Sequence, residues 1–435
     1  MPAELLDEVV HLQKSGQARG IASICSSHPS VLEAAVRRAV RTGSPLLIES
    51  TCNQVNQFGG YTGMRPADFS AYVGSIARRN GLPPERVLLG GDHLGPSIWK
   101  EESAETAMSK AAQLIRAYVA AGYVKFHLDA SMQLGDDDSA RPLDPGISAQ
   151  RLAALAKAAE QAQANIGTAS VPRYVVGTDV PIPGGAQLRA GGAEGAEPSQ
   201  VTRVEDLRCS LELTRAAFFR EGLQAAWERV LAVVVQPGVE FGDDFVHAYQ
   251  PEAAAGLAGF IETQPGLVYE AHSTDYQCRA ALRHLVRDHF AILKVGPALT
   301  YAFREVSFAL ALIENELFLP AERSMLMETL EEVMCRTPGN WQKHYHGSPA
   351  ELALARKYSR SDRVRYYWPD PRVQAALQKL IANLSARPLP AGLVSQYAPA
   401  QFGRIREGAL ENTPKAILLD HIDEVLGDYA YACGE

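Results

Sequence analysis

Eight short apolar, β-branched runs punctuate the first 300 residues, at 20–25, 45–49, 87–91, 124–128, 173–176, 231–235, 267–269 and 291–295. Each stops at polar residues or glycine, and a helical pattern follows each one, at 31–41, 67–79, 102–120, 148–164, 204–220, 251–263, 276–288 and 301–318. Ser30 is placed to cap the first helix, and Pro66 to open the second. Strands that alternate with helices build parallel βαβ units, and eight such units close most naturally into a (β/α)8 TIM barrel, with a doubly wound open sheet as the alternative. Beyond residue 320 the pattern is helical, with a loop at 340–348 and a Pro-rich turn at 388–390. The expected organisation is a barrel over 1–320 and a helical extension over 321–435 packed on it.

Composition removes several function classes. Hydrophobic residues make up 46% and charged residues 21%, enough for a sizeable core. The 42 Lys+Arg against 50 Asp+Glu give a net charge of −8, which leaves no basic footprint for nucleic acid. The longest strongly apolar stretch, 231–235, is far short of the roughly 20 residues of a membrane helix, and the acidic start is unlike a signal peptide. Six scattered cysteines without a Cys-x-x-Cys pair fit reduced thiols and a cytoplasmic location.

Polar residues collect where the runs end. Glu49 and Asn53 follow the second run, Asp92-His93 the third, and His127, Asp129 and Ser131 the fourth, with Lys125 on the same strand face as His127 and Asp129. Asp179 follows the fifth run, Gln236 the sixth, and Glu270, His272, Ser273 and Asp275 the seventh, while Lys294 lies in the eighth. Taken singly, each has an ordinary reading as a cap, a turn or a salt bridge. Convergence of six consecutive strand ends at one rim is instead the arrangement of a barrel active site. His93 and His272, with oxygen donors nearby in Asp179, Asp129, Glu49 and Gln236, suit a divalent metal such as zinc, and Asp92 is placed to move a proton. Long loops at 133–145, 181–200 and 237–250 follow the fourth to sixth runs, and the second is rich in glycine and alanine.

Longer motifs carry a resemblance. They are Gln-Phe-Gly-Gly-Tyr-Thr-Gly-Met at 57–64, Gly-Gly-Asp-His-Leu-Gly-Pro at 90–96 and Phe-His-Leu-Asp-Ala-Ser-Met at 126–132, then Glu-Ala-His-Ser-Thr-Asp-Tyr-Gln at 270–277 and Leu-Lys-Val-Gly-Pro-Ala-Leu-Thr at 293–300. With Arg-Lys-Tyr-Ser at 356–359 and Asp-Arg-Val-Arg-Tyr-Tyr-Trp at 362–368, these segments resemble the GatZ/KbaZ family, which is similar to the metal-dependent class II aldolases. The resemblance implies that Asp92-His93 is a proton-transfer carboxylate followed by a metal ligand, and that His272 is a second ligand. It also exposes departures. Gln236 stands where class II aldolases place a further metal-binding histidine, and Gly296-Pro297 follows Lys294-Val295 where they place a substrate-binding asparagine.

The resemblance implies three functions. A tagatose-6-phosphate kinase is disfavoured, because the chain has no Gly-x-x-x-x-Gly-Lys-[Ser/Thr] run. The expected activity is C4 epimerisation of a ketohexose or its 6-phosphate, interconverting tagatose and fructose by a retro-aldol/aldol route with Zn²⁺, or Mn²⁺, Ni²⁺ or Co²⁺. The alternative is a non-catalytic subunit that stabilises a class II D-tagatose-1,6-bisphosphate aldolase. In either case His93 and His272 are expected to bind metal, completed by Asp179 or Gln236, and Asp92 to transfer a proton opposite Glu49 or Asp129. Asn53, Lys125, Ser131, Ser273 and Asp275 are expected to meet sugar hydroxyls, Gly184 and Gly185 to cradle a phosphate, and Lys294 to add charge. The basic run of Lys343, Arg356, Lys357, Arg360, Arg363 and Arg365 is read mainly as a solvated face with a possible reach to phosphate. A homo-oligomer is the expected assembly.

Overall fold

In the computed structural model, which describes residues 2–167, 171–177 and 200–435, the apolar runs become eight parallel strands closed into a barrel. They are β1 (Ile21–Ile24), β2 (Leu46–Thr51), β3 (Val87–Leu94), β4 (Lys125–Leu128), β5 (Arg173–Val176), β6 (Val230–Val234), β7 (Val268–Ala271) and β8 (Phe290–Val295). Strands adjacent in sequence are adjacent in space, and β8 returns to β1, so the structure is a (β/α)8 barrel and not an open sheet.

Several boundaries move for local reasons. β3 runs three residues past the expected end and carries Asp92 and His93 inside the strand. The helix Pro29–Thr42 is preceded by His28 at the N-cap, not Ser30, because Pro29 supplies a preset φ and needs no hydrogen-bond acceptor at the first helical position. The helix expected at 276–288 starts only at Arg279, since Ser273 and Tyr276 hold left-handed φ values of 53° and 64°. The helix expected at 301–318 starts earlier, at Pro297. The loop at 237–250 contains a small antiparallel ribbon, Glu240–Phe241 against Val246–His247.

One element escaped the sequence reading. The helix Pro2–Lys14 plugs the barrel at the N-terminal ends of its strands, where Leu6, Val9 and Val10 pack with Ile21, Leu88 and Val268. That plug makes the lower barrel apolar and leaves the polar inward positions to the opposite face.

At the other end of the chain, the helix Pro414–Cys433 packs against Pro29–Thr42, Arg279–Arg287 and Pro297–Leu317. Asp423 on it accepts from Arg38 at 2.8 Å and Arg41 at 2.7 Å. Residues 359–368 reach the C-terminal face of the barrel. The Arg360 N–H donates to the Asp243 carbonyl at 3.0 Å, the Thr300 hydroxyl donates to Asp362 at 2.6 Å, and the Tyr366 ring stands 5.0 Å from Tyr61. No helix among the described residues is long and apolar enough to cross a membrane.

Candidate metal centre and cavity

Inward-facing positions above the apolar plug form a layer of charge. Lys125 Nζ lies 2.6 Å from Glu49 Oε1 and 2.6 Å from Glu270 Oε2, and all three side chains are fully buried. Lys294 Nζ bonds the other Glu49 oxygen and lies 3.0 Å from Asp92 Oδ1. The pairing of Glu49 on β2 with Lys125 on β4 passes across β3 at Gly90, which is registered with both residues. A Cβ at Gly90 would stand 2.7 Å from Glu49 Cγ, so only glycine leaves the passage open.

Three imidazoles occupy the next layer. The rings of His93, His127 and His272 stand 5.1, 4.9 and 5.0 Å apart, a near-equilateral triangle. A register shift between Gly91 and Leu94, with His93 at φ 47°, turns His93 toward this group. Each ring is held by a carboxylate: His93 Nδ1 by Asp129 at 3.1 Å, His127 Nδ1 by Asp92 at 2.9 Å, and His272 Nε2 by Glu270 at 3.1 Å. The Glu270 carboxylate only accepts, so His272 Nε2 carries the proton and its Nδ1 keeps a lone pair, whereas His127 Nδ1 is also approached by the His93 backbone N–H at 3.2 Å. The His127 Nε2 is buried with no hydrogen-bond partner.

The electrostatics of the centre have clear causes. Burial opposes ionisation of Asp92, but Lys294, His93 and His127 outweigh it and hold its carboxyl well below the usual range. Burial also opposes ionisation of Asp129, yet its bond to His93 brings it down to about 2. Burial lowers His272 to about 4, so it is neutral at physiological pH. Burial likewise disfavours charge on His93, but Asp92 and Asp129 raise it above its ordinary value.

These groups fit a divalent cation. One ligand atom from each of Asp92, His93, His127 and His272 lies within 4.8 Å of the others. Imidazoles oriented by carboxylates are the usual outer support of a metal site. The four carboxylates Glu49, Asp92, Asp129 and Glu270 face only two lysines, Lys125 and Lys294, an excess of negative charge that a dication would offset.

A cavity of about 380 Å³ opens above the centre. Asp92, His93, His272 and Lys294 line it, as do Asn53, Ser273 and Asp275, three of the five residues expected to meet substrate hydroxyls; Lys125 and Ser131 do not. Asp275 also spends Oδ1 on the N–H groups of Gly296 and Ala298 at 3.0 and 2.8 Å, and burial raises its carboxyl to about 6.

Other expected residues have different surroundings. Lys125 is sealed between Glu49 and Glu270 and offers nothing to a sugar, and Glu49 is sealed with it, so neither plays the role read for it. Asp129 does not face Asp92 across a substrate. It orients His93, and it accepts both the N–H and the hydroxyl of Ser131, whose Oγ is 2.7 Å away. Gln236 turns its Oε1 to the Gly238 N–H at 2.8 Å, and the fourth member of the converging group is His127. Asp179, Gly184 and Gly185 lie outside the described residues. His127 and Glu270 were the residues missed as partners. Strand alternation carried the signal, since His127 shares a face with Lys125, and Glu270 shares one with His272.

Closed parallel barrel, buried imidazole triad and capping cavity together define a (β/α)8 protein with a candidate metal centre at the C-terminal ends of its strands. Residues 6–434 match the family described as D-tagatose-1,6-bisphosphate aldolase subunit GatZ/KbaZ-like, and the chain belongs to that family. It is 52% identical over 428 residues to the D-tagatose-1,6-bisphosphate aldolase subunit GatZ of Klebsiella pneumoniae subsp. pneumoniae, covering 98% of this chain and 99% of that protein. The subunit of the same name from Salmonella heidelberg is 50% identical, with the same coverage. A crystal structure from Sinorhizobium meliloti 1021, described as a probable tagatose 6 phosphate kinase, superposes with a TM-score of 0.87 at 46% identity and covers 95% of this chain and 100% of that one.

Proposed function

We propose that this chain is a subunit of a D-tagatose-1,6-bisphosphate aldolase and works with a separate, catalytic class II aldolase chain. The observation that carries this reading is the end-to-end similarity to subunits of that name, at 52% identity over 98% of the chain. This reverses the order of preference drawn from the sequence, in which the epimerase came first. The test is to add the purified chain to a class II tagatose-bisphosphate aldolase subunit and follow cleavage of D-tagatose 1,6-bisphosphate. The reading expects higher activity or a longer half-life at temperature for the partner, and it fails if the two chains neither associate nor change one another.

A second reading is supported by the centre itself. A subunit that only stabilises a partner has no need for His93, His272 and Asp92 on the floor of a cavity with a third imidazole, His127, buried beside them. The same groups suit C4 epimerisation of tagatose or fructose, free or 6-phosphorylated. His93, His127 and His272 would hold a divalent metal such as Zn²⁺, which when bound would supply Lewis acidity for the substrate carbonyl. Asp92, kept ionised by Lys294 and the neighbouring histidines, can accept the C4 hydroxyl proton as the C3–C4 bond breaks and return it when the bond re-forms on the other aldehyde face. Lys294 holds Asp92 in place, and Asn53, Ser273 and Asp275 orient hydroxyls. Interconversion of the two ketoses by the chain alone, lost in Asp92→Asn, would establish this activity. Its absence with every metal leaves the subunit role.

A further inference from the structure

Of the six basic residues at 343–365 singled out in the sequence, only Arg365 lines the cavity above the metal centre. Arg356 is paired with Glu331 at 3.0 Å, Arg363 donates to the Asn340 carbonyl at 2.9 Å, and Lys343 is exposed. Arg365 is fixed by donating to the carbonyls of Ser361 and Asp362 and to the Tyr366 hydroxyl, 3.0 Å from Nη2. The carboxylates of Asp275 and Asp362 act on it electrostatically, but among the described residues none reaches it in a salt bridge. Nearby polar atoms are also unpartnered. The Trp368 indole N–H is buried without an acceptor, and neither ring nitrogen of His28, itself 8% exposed, has a partner. Both side chains line the same cavity. Unmatched buried polar atoms are costly, so the hydrogen bonding of this wall is incomplete as it stands. Asp275 shares the cavity, but one of its oxygens is committed to the N–H groups of Gly296 and Ala298.

We infer that Arg365, contributed by the C-terminal extension, binds the phosphate ester of the ketose whose reacting carbons lie over the imidazole centre. A fixed guanidinium fork matches phosphate oxygens in a way a hydroxyl does not. The extension then does chemical work. It closes one wall of the cavity and selects phosphorylated over free sugar. The inference rests on the sugar-phosphate reading above, and its test separates the two.

Isothermal titration of the full chain with D-fructose 6-phosphate, D-fructose and inorganic phosphate, in wild type, Arg365→Met and Arg365→Lys, decides it. The expected result is a loss of roughly 10–100-fold in affinity for fructose 6-phosphate in Arg365→Met, with fructose changed less than about 3-fold. Arg365→Lys, which keeps the charge and loses the fork, should fall between and serves alone if the methionine variant does not fold. Arg365-dependent binding of inorganic phosphate without binding of fructose 6-phosphate would uphold the anion site and overturn the sugar-phosphate reading. Equal weakening for fructose and fructose 6-phosphate, unchanged affinity in both variants, or a wild type that binds neither phosphate would overturn the inference.

Discussion

Replacing Lys125 by methionine removes one cation from the sealed layer and leaves its two carboxylates behind. Its Nζ is 2.6 Å from oxygens of both Glu49 and Glu270, and the three side chains have no exposure, so no water can take its place. Only Lys294 then remains to face Glu49, Glu270 and Asp92. Removing one partner of such a buried pair costs about 3–5 kcal/mol, a large part of the roughly 5–15 kcal/mol that holds a typical domain. The pH dependence has a definite sign. Burial opposes ionisation of Glu270, but Lys125 and Lys294 hold it well below the usual carboxylate range. Its contribution is therefore present above the unfolded value near about 4.3 and is lost as pH falls through the folded value. In Lys125→Met the folded value rises, so the deficit against wild type should be greatest at neutral pH and shrink as pH falls through that raised value. Urea midpoints measured from neutral pH downward through the carboxylate range read this, and Lys125→Met/Glu270→Gln should recover part of the loss at neutral pH. A deficit under about 1 kcal/mol, or one independent of pH, would refute the charge-layer argument.

Three further outcomes are expected. Gly90→Ala places a Cβ 2.7 Å from Glu49 Cγ and should cost about 1–3 kcal/mol in a urea melt, whereas an unchanged midpoint would show that β3 need not be bare there. Asp129→Ala removes the acceptor that orients His93, and it should weaken divalent-metal affinity roughly 10–100-fold in a chelator competition. His421 packs 3.2 Å from Glu424 and 3.5 Å from Glu305; burial opposes its charge, but those carboxylates raise it to about 9. The stability this adds is complete below its unfolded value and lost as pH rises through about 9. His421→Gln should therefore cost on the order of 1–2 kcal/mol at pH 6, discounted for partial exposure, and almost nothing at pH 10.

The barrel was legible because each strand is an apolar run with a helix behind it, a pattern few other folds share. Reading the C-terminal ends of the strands together also placed Asp92, His93 and His272 at one rim. What stayed hidden depended on contacts between distant segments. Lys125 looked like a substrate contact because sequence does not reveal that Gly90 opens a path from β4 to Glu49 on β2. Gln236 was given a ligand's place as an oxygen donor at the end of the sixth run, while His127 went unassigned although it lies two residues from Lys125 on the same strand face. The plug at Pro2–Lys14 precedes the first strand and lies outside the strand–helix repeat. Arg365 was only one of six basic residues until residues 359–368 were seen to cross the barrel mouth.

The most direct test of the central claim is the metal content of the purified full chain, compared with His127→Ala and Gln236→Ala by elemental analysis after dialysis against Zn²⁺. The geometry predicts a bound divalent metal in wild type and in Gln236→Ala, and loss of that metal in His127→Ala. Retention in His127→Ala together with loss in Gln236→Ala would contradict the imidazole triad as the metal centre.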